Sequence, residues 1–301
     1  MTTVVALGGN ALIRPGERGT AAEQLANLRR AVDALRPLLR EDGIVITHGN
    51  GPQVGNELLR QERAADEAPP LPLWLAVAQT QAEIGALILA ELRAALGGRE
   101  PACVLTHVRV AADDPAFDRP TKPIGPFYPA ERSQQLERDR GWKMTSDANR
   151  GHRRVVPSPA PVEILELDVI RRLAAEGTVV IACGGGGIPV VRKAGRITGV
   201  DAVIDKDRAS ALLARQLGAD RLVILTEVPA VLRNFGEPEQ TEIRELTVAT
   251  ASELLPHLAE GSMRPKIEAA LTFPGETLIT SFEALDQTLA GRGGTRIVGP
   301  A

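Results

Sequence analysis

Four consecutive glycines, at 184–187, follow an apolar run rich in β-branched residues at 178–183. Such a run is typical of a buried strand, and the glycines after it predict a loop without side chains. Glycine is entropically costly to order, so four in succession need a physical reason. Close approach is one, because bare backbone N–H groups can line a concave site for an anion. We favour this interpretation, and a flexible turn is the alternative.

Two further apolar runs end in glycine turns. Gly8-Gly9-Asn10 follows residues 2–7, and His48-Gly49-Asn50-Gly51 follows residues 44–47. Alternating strands and helices along the chain predict an α/β fold with a mainly parallel sheet between helices. The carboxyl ends of parallel strands meet at one edge of a sheet, where ligands bind. We therefore expect the three glycine turns to form a single site.

These turns match neither of two common nucleotide-binding motifs. No glycine-lysine-serine/threonine sequence follows any of them, so the Walker A loop is absent. The spacing of Gly49, Gly51 and Gly55 is one residue too long for the dinucleotide fingerprint, which also lacks its acidic residue about twenty positions later. His48 could act as a base, but we favour a structural hydrogen-bonding role.

The composition argues against several partners. The net charge is −3 and the aromatic content is 3%, so we expect no nucleic-acid partner. Glutamines and glutamates interrupt the most apolar stretch, 71–96, which indicates a core helix and no membrane partner. The N-terminus shows no secretion signal. Because Cys103 and Cys183 lie in separate apolar strands, we expect a reducing, cytoplasmic location.

Residues 113–161 depart from the alternation of strands and helices. Eight prolines punctuate this segment, yet Phe117, Phe127 and Trp142 make it too apolar for disorder. A charged stretch near 131–140 predicts one helix. We interpret the segment as a lid-like subdomain that folds over the site.

Lysine is rare in this chain. It occurs at five positions, whereas arginine supplies the other thirty of the 35 basic residues. A chain with this preference should keep lysine where a compact ammonium group is required. Lys122, Lys206 and Lys266 stand among glycines, prolines and aspartates, while Lys143 and Lys193 are typical of a surface. Because phosphoryl transfer depends on positioning and charge neutralisation, the first three are candidates to hold a migrating phosphoryl group.

Two aspartates, Asp205 and Asp207, flank Lys206. One carboxylate could orient lysines while another group helps to hold Mg²⁺. An equally good alternative is a solvated helix start, where acidic residues favour the helix dipole.

Eight segments, spread over nearly the whole chain, resemble the carbamate kinases of the amino acid kinase superfamily. The order of the segments is also that of the family. They are LGGNAL (7–12), THGNGPQVG (47–55), DPAF (114–117), PTKPIGPFY (120–128), RRVVPSP (153–159), GGGGIP (184–189), VIDKD (203–207) and GSMRPK (261–266).

The resemblance implies the amino-acid-kinase fold, a three-layer αβα sandwich with a central, mainly parallel sheet and a protruding subdomain near 115–160. It implies one domain over 1–301, in which lobe 1–215 binds carbamate or carbamoyl phosphate and lobe 216–301 binds the nucleotide. The implied reaction is reversible, Mg²⁺-dependent phosphoryl transfer between ATP and carbamate, giving ADP and carbamoyl phosphate and run toward ATP synthesis. Members of the family are usually homodimers.

The resemblance also implies roles for individual residues. Lys122, Lys206 and Lys266 would neutralise the transferring phosphoryl group, and Asp207 would orient lysines. The substrate end would be cradled by Gly8, Gly9, Asn10, Gly49, Asn50, Gly51, Gly184 and Gly185. The nucleotide would lie along Thr226, Glu227, Met263, Pro265 and Lys266. We assign no protein ligand to the metal.

Two other functions stay open. One is a kinase for another small carboxylate-like acceptor on the same fold, because few side chains determine a small acceptor pocket. The other is a non-catalytic nucleotide-binding regulator, against which the retained lysines and aspartates argue.

Overall fold

The central strands of the protein are buried on both faces. Strand β1 (Thr3–Leu7) is buried along its whole length. Its consecutive residues Val4 and Val5 face opposite sides of the sheet and belong to two separate apolar cores. Because each face of such a strand must be covered, helices are required on both sides.

The computed structural model describes residues 1–14, 16–147, 151–258 and 263–299. The helices are α1 (Ala21–Ala34), α2 (Arg36–Leu39), α3 (Gly51–Arg63), α4 (Leu73–Ala95), α5 (Ala130–Arg140), α6 (Leu167–Ala175), α7 (Lys206–Leu217), α8 (Val248–Leu254), α9 (Met263–Thr272) and α10 (Leu285–Leu289). After β1 come strands β2 (Ile44–His48), β3 (Pro101–Cys103), β4 (His107–Val110), β5 (Lys122–Tyr128), β6 (Lys143–Asp147), β7 (Gly151–Val156), β8 (Pro161–Ile164) and β9 (Val179–Ile181). The remaining strands are β10 (Ile188–Lys193), β11 (Arg196–Gly199), β12 (Arg221–Leu225), β13 (Val231–Arg233), β14 (Thr241–Ile243), β15 (Glu245–Leu246), β16 (Glu276–Thr280) and β17 (Thr295–Val298).

The large sheet has the strand order β15-β17-β16-β12-β1-β2-β9-β3. Its strand pairs are parallel except for β16 with β17. Helices α1, α4 and α10 contribute to the core on one face, and α6, α7 and α9 to the core on the other. The predicted three-layer αβα class is confirmed.

The mainly apolar run at 102–110 predicts one strand, and this prediction is wrong because the structure divides the run in two. Strand β3 pairs with β9 in the large sheet, whereas β4 pairs with β10 in a second sheet of order β11-β10-β4-β8. Thr106 lies at the break. An apolar run has the same hydrophobic pattern whether it stays in one sheet or crosses to another. The sequence therefore did not indicate the division. The apolar spacing also predicts a helix from 164 to 176, but α6 begins only at Leu167 because Ile164 is the last residue of β8.

The proline-rich segment contains more regular structure than predicted. Strands β5, β6 and β7 form a separate antiparallel sheet of order β5-β7-β6, and α5 coincides with the helix predicted near 131–140. Pro123 and Pro126 lie in β5, which is an edge strand. An edge strand tolerates proline because its missing N–H can face away from the sheet. The prolines therefore concealed a strand.

Helix α4 contains the apolar stretch that the sequence placed in the core. Among the described residues it is the one helix long and apolar enough to cross a membrane, judged by length and composition alone. It packs against α1, α3 and β3. Ile84 and Ile88 are fully buried, and Glu91 pairs with Arg29 at 3.1 Å. These contacts are those of a core helix.

The subdomain sheet meets the main body where Gly55 of α3 touches Gly125 of β5. A Cβ atom on Gly55 would lie 2.5 Å from the Gly125 Cα atom. We expect Gly55→Ala to force α3 and β5 apart and to lower the free energy of unfolding by about 1–3 kcal/mol.

Gly51, in the first turn of the same helix, supplies the matched control, because a Cβ atom there would meet nothing within 4 Å. Urea denaturation of Gly55→Ala and Gly51→Ala measures the difference. Equal stability of the two variants would show that the contact imposes no constraint.

Candidate active site

The three glycine turns lie together at the carboxyl edge of the large sheet, because β1, β2 and β9 are adjacent parallel strands. Gly49 lies against the Lys206 side chain, since a Cβ atom on it would be 3.5 Å from the lysine Cδ atom. Gly185 packs on the Asn50 side chain. The geometry thus brings the turns to one site, as expected from the sheet.

The loop at 184–187 requires glycine for both conformation and space. Three of its glycines have φ angles of +65°, +85° and +88°, and Cys183 before them has +50°. Angles in this region favour glycine. A Cβ atom on Gly186 would collide with the Ile204 carbonyl. All four glycines are buried, so the loop is a packed part of the structure and not a flexible turn.

The three lysines singled out in the sequence converge on two carboxylates. Lys122, the first residue of β5, places its Nζ atom 2.6 Å from Asp205 Oδ2. Lys266, from α9, places its Nζ atom 3.1 Å from Asp207 Oδ2, and Lys206 pairs with the other oxygen of Asp207. Three separate elements therefore deliver ammonium groups to a single pair of aspartates.

Asp205 also starts helix α7. Its Oδ1 atom accepts hydrogen bonds from the backbone N–H groups of Asp207 at 2.9 Å and Arg208 at 3.4 Å. Aspartate is a favoured helix-capping residue because its carboxylate satisfies such exposed donors. The solvated helix start considered above therefore describes half of the arrangement: the cap is present, but it is buried and paired with Lys122.

Burial alone would raise the pKa of Asp207, but the ammonium groups of Lys206 and Lys266 outweigh it and hold that pKa well below its usual range. Burial also opposes ionisation of Asp205, and Lys122 likewise brings the net pKa below the ordinary value. Lys206 has a lowered pKa because burial disfavours its charge, although Asp207 opposes this effect. With both aspartates ionised, three ammonium groups and two carboxylates leave a net charge of +1. Such a cluster favours an incoming anion.

A cavity of about 1020 Å³ opens beside this cluster. Its floor is formed by Gly8 and Gly9 and by the ammonium-bearing Lys206 and Lys266. The other lining residues include Ala11, Thr226, Glu227, Val228, Leu232, Phe235, Ile243, Leu246, Leu254, His257, Leu258, Met263 and Phe282. A volume of this size with apolar walls and a charged end suits a nucleotide.

Of the five residues implied along the nucleotide, Thr226, Glu227, Met263 and Lys266 line the cavity, whereas Pro265 is not among its described lining residues. The side chain of Asn10 and residues 261–262 lie outside the described part of the chain.

His48 is fully buried beneath the second glycine turn. Its Nδ1 atom lies 2.9 Å from the Gly49 carbonyl oxygen, which can only accept, so Nδ1 carries the proton. Burial lowers the pKa of His48 to about 4. A neutral imidazole of such low basicity is a poor proton acceptor, and its geometry matches the structural role that we favoured.

Among the described residues, no cluster of three histidine, cysteine, aspartate or glutamate side chains could hold a metal ion. The two aspartates nearest the glycine turns are occupied by lysines. Magnesium usually keeps several waters and binds through substrate phosphates with one or two carboxylates. A metal that arrives with a nucleotide is therefore compatible with this donor set.

Sequence reasoning missed the supports of the loops. Asn50 Nδ2 donates to Thr80 Oγ1 at 2.9 Å, and Gln81 Nε2 donates to the Gly184 carbonyl at 2.8 Å. Both supporting residues lie on α4 and are fully buried or nearly so. Gln81 was visible in the sequence as a polar interruption of the apolar stretch, but nothing in the pattern indicated which loop it would meet.

The sequence profile of the amino acid kinase family matches residues 1–274. The chain is 46% identical to the carbamate kinase of Halobacterium salinarum, with 98% of each chain covered. It is also 46% identical to the carbamate kinase of Staphylococcus haemolyticus, again over 98% of each. Among solved structures, carbamate kinase from Giardia lamblia bound to AMP-PNP superposes with a TM-score of 0.90 at 38% identity, covering 99% of this chain and 98% of that one.

The fold and the full-length similarity agree with the family that the sequence motifs resembled. The chain belongs to the amino acid kinase family, and within that family to the carbamate kinases. It is an enzyme of phosphoryl transfer between ATP and carbamate, the reaction that is standard for this family.

The buried His48 makes stability depend on pH. Above pH 6.5 the imidazole is neutral in both folded and unfolded chains, whereas between 6.5 and about 4 only the unfolded chain takes up the proton. Stability therefore falls as pH falls through this window, by about 2–3 kcal/mol between pH 7.5 and 4.5.

Urea denaturation at these two pH values measures the loss. His48→Gln should weaken the pH dependence, while His257→Gln, which changes an exposed side chain, should keep it. An unchanged pH dependence in His48→Gln would show that this imidazole is not the titrating group.

Proposed function

We propose that Lys122, Lys206 and Lys266 neutralise the phosphoryl group as it moves between ATP and carbamate, and that Asp205 and Asp207 hold the three ammonium groups in place. One observation carries this assignment: a buried Asp207 accepts both Lys206 and Lys266 beside the glycine turns. Negative charge spreads over the oxygens of a transferring phosphoryl group, and preorganised cations stabilise it without reorganisation.

The acceptor end is the set of glycine turns. Gly8, Gly9 and Asn10, together with Gly49, Asn50 and Gly51, would cradle carbamate or carbamoyl phosphate through backbone N–H groups, and Gly184 and Gly185 would complete the cradle. A Cβ atom on Gly184 would collide with the His48 side chain, and one on Gly185 would collide with the Asn50 side chain. The close packing supports this role, because larger residues would close the approach to the backbone.

The nucleotide lies in the cavity of about 1020 Å³. Thr226, Glu227 and Met263 would contact it along the wall, with Pro265 beside them in α9 and Lys266 at the phosphate end. Residues 216–301 would then be the nucleotide lobe and 1–215 the substrate lobe. The related enzyme from Giardia lamblia is bound to AMP-PNP, an analogue of ATP, which supports nucleotide binding by this chain.

Magnesium would enter with the nucleotide phosphates. Because Asp205 and Asp207 are engaged by lysines, phosphate oxygens and water would supply its ligands. When bound, the ion contributes neutralisation of charge on the transferring phosphates.

The subdomain within 115–160 would act as a lid, because Lys122 stands at the start of its sheet and reaches the cluster. Conformational closure of this kind can complete a catalytic site. We also propose, from the resemblance, a homodimer in a reducing cytoplasm. Light scattering on the purified 32.0 kDa chain would show whether it forms the homodimer.

Formation of ATP from ADP, Mg²⁺ and carbamoyl phosphate tests the function. We expect turnover with carbamoyl phosphate and little with acetyl phosphate, because a methyl group cannot make the hydrogen bonds that the carbamoyl amino group makes. Equal kcat/KM for the two donors would indicate a kinase of another small carboxylate-like acceptor. Nucleotide binding without turnover of either donor would indicate a regulator.

Removal of single ammonium groups tests the roles of the lysines. Lys122→Ala and Lys266→Ala should each lower kcat by about 10²- to 10³-fold, by analogy with loss of one oxyanion donor. Lys193→Ala is the matched control, because that lysine is exposed at the hairpin of β10 and β11. Steady-state rates, with circular dichroism to verify folding, decide the matter. Near-normal rates in folded Lys122→Ala or Lys266→Ala would remove that residue from the site.

A further inference from the structure

Two consecutive polar residues lie inside the most apolar helix of the protein. Thr80 and Gln81, in the middle of α4, have exposures of 0% and 1%. A buried polar side chain is unfavourable unless its hydrogen bonds are made. The partners of these two residues therefore indicate what the pair is for.

Gln81 connects the glycine loop at 184–187 with Thr106, where the chain passes from the large sheet to the second sheet. Its Nε2 atom donates to the Gly184 carbonyl at 2.8 Å, and its Oε1 atom accepts from Thr106 N at 2.6 Å. The Gly184 carbonyl also accepts from Gly187 N at 3.0 Å. The direction of this one carbonyl is consequently held from two sides.

Fixing the Gly184 carbonyl also fixes the next N–H group. In a planar trans peptide the C=O and N–H bonds point in opposite directions. The Gly185 N–H group therefore points away from α4, and no described group accepts a hydrogen bond from it. It is a donor held in a fixed direction in the loop that we assign to the substrate.

Thr80 supports the second glycine turn, at 48–51, in a similar way. Its hydroxyl donates to the Ala76 carbonyl at 2.9 Å, which leaves the oxygen to accept from Asn50 Nδ2 at 2.9 Å. The Asn50 side chain in turn packs against Gly185. The hydrogen bonds made by Gln81 and by Thr80 thus both act at Gly185.

We propose that Thr80 and Gln81 are positioning residues for the carbamate end of the reaction. They touch the loops and not the reacting atoms, and they set the directions of the Gly185 N–H group and the Asn50 side chain. This inference rests on the proposed roles of Asn50, Gly184 and Gly185. It also explains why polar side chains occur at this level of an otherwise apolar helix.

The proposal is tested by measuring whether a variant changes the KM for carbamoyl phosphate without changing the KM for ADP. Gln81→Met keeps the length of the side chain but removes its donor and acceptor. We expect the KM for carbamoyl phosphate to rise about tenfold to a hundredfold, because small misplacements of positioning groups have effects of this size. The KM for ADP should stay within about twofold, since Gln81 does not line the nucleotide cavity.

Gln79→Met, on the exposed side of the same helix, is the matched control and should keep both constants. A merely structural role for Gln81 would change the KM values of both substrates together, or would reduce only the amount of folded protein. Either of these results would overturn the proposal. An inactive wild-type enzyme would instead contradict the proposed function.

Thr80 supplies a second variant in case Gln81→Met fails to fold. Thr80→Val preserves shape and removes the hydroxyl, so it should raise the KM for carbamoyl phosphate and not that for ADP. Thr80→Ser keeps the hydroxyl and should restore the wild-type value. Equal constants for Thr80→Val and Thr80→Ser would show that the bond to Asn50 has no part in substrate binding.

Discussion

The structure of the site depends on one buried carboxylate between two ammonium groups. Asp207 is 3% exposed and receives Lys206 from its own helix and Lys266 from α9. Two ammonium groups placed so close would repel each other strongly in an interior of low dielectric constant. A carboxylate between them turns that repulsion into a stable arrangement, and the lowered pKa of Asp207 keeps it ionised at neutral pH. The cluster can therefore exist before a phosphate arrives.

Burial and close packing explain which parts of the fold were predictable from the sequence. A strand buried on both faces is apolar at most positions, and a loop with close backbone neighbours favours glycine, so β1, β2, β9 and their turns were evident in the sequence. Helix α7 begins after Asp205 and ends before Gly218, and capping chemistry makes both residues recognisable in the sequence. The break at Thr106 was not recognisable, because β-branched apolar residues occur in the strands on both sides of it or next to them, whichever sheet they join. Strand β5 was hidden because an edge strand tolerates proline.

The site was predictable in its residues but not in its pairings. The rarity of lysine in an arginine-rich chain singled out Lys122, Lys206 and Lys266. Their partners could not be assigned, since Asp205 and Lys122 are separated by 83 residues and no local pattern connects them. The supporting residues on α4, Thr80 and Gln81, were even harder to predict from the sequence. A buried glutamine and an exposed one, such as Gln81 and Gln79, differ only in the face of the helix that they occupy, and the apolar stretch is too uniform to define that face.

The site combines two kinds of donor, and their separation has a consequence for the chemistry. In the proposed arrangement, charged lysines held by aspartates would occupy the side where the phosphoryl group moves, whereas neutral backbone amides held by α4 would occupy the acceptor side. A neutral cradle can hold a small acceptor by direction alone, without competing for the charge that develops on the phosphoryl oxygens. The net charge of +1 would then remain available to the migrating group. On this proposal the acceptor side would govern which substrate is presented, and the lysine side would govern how fast the phosphoryl group is transferred to it.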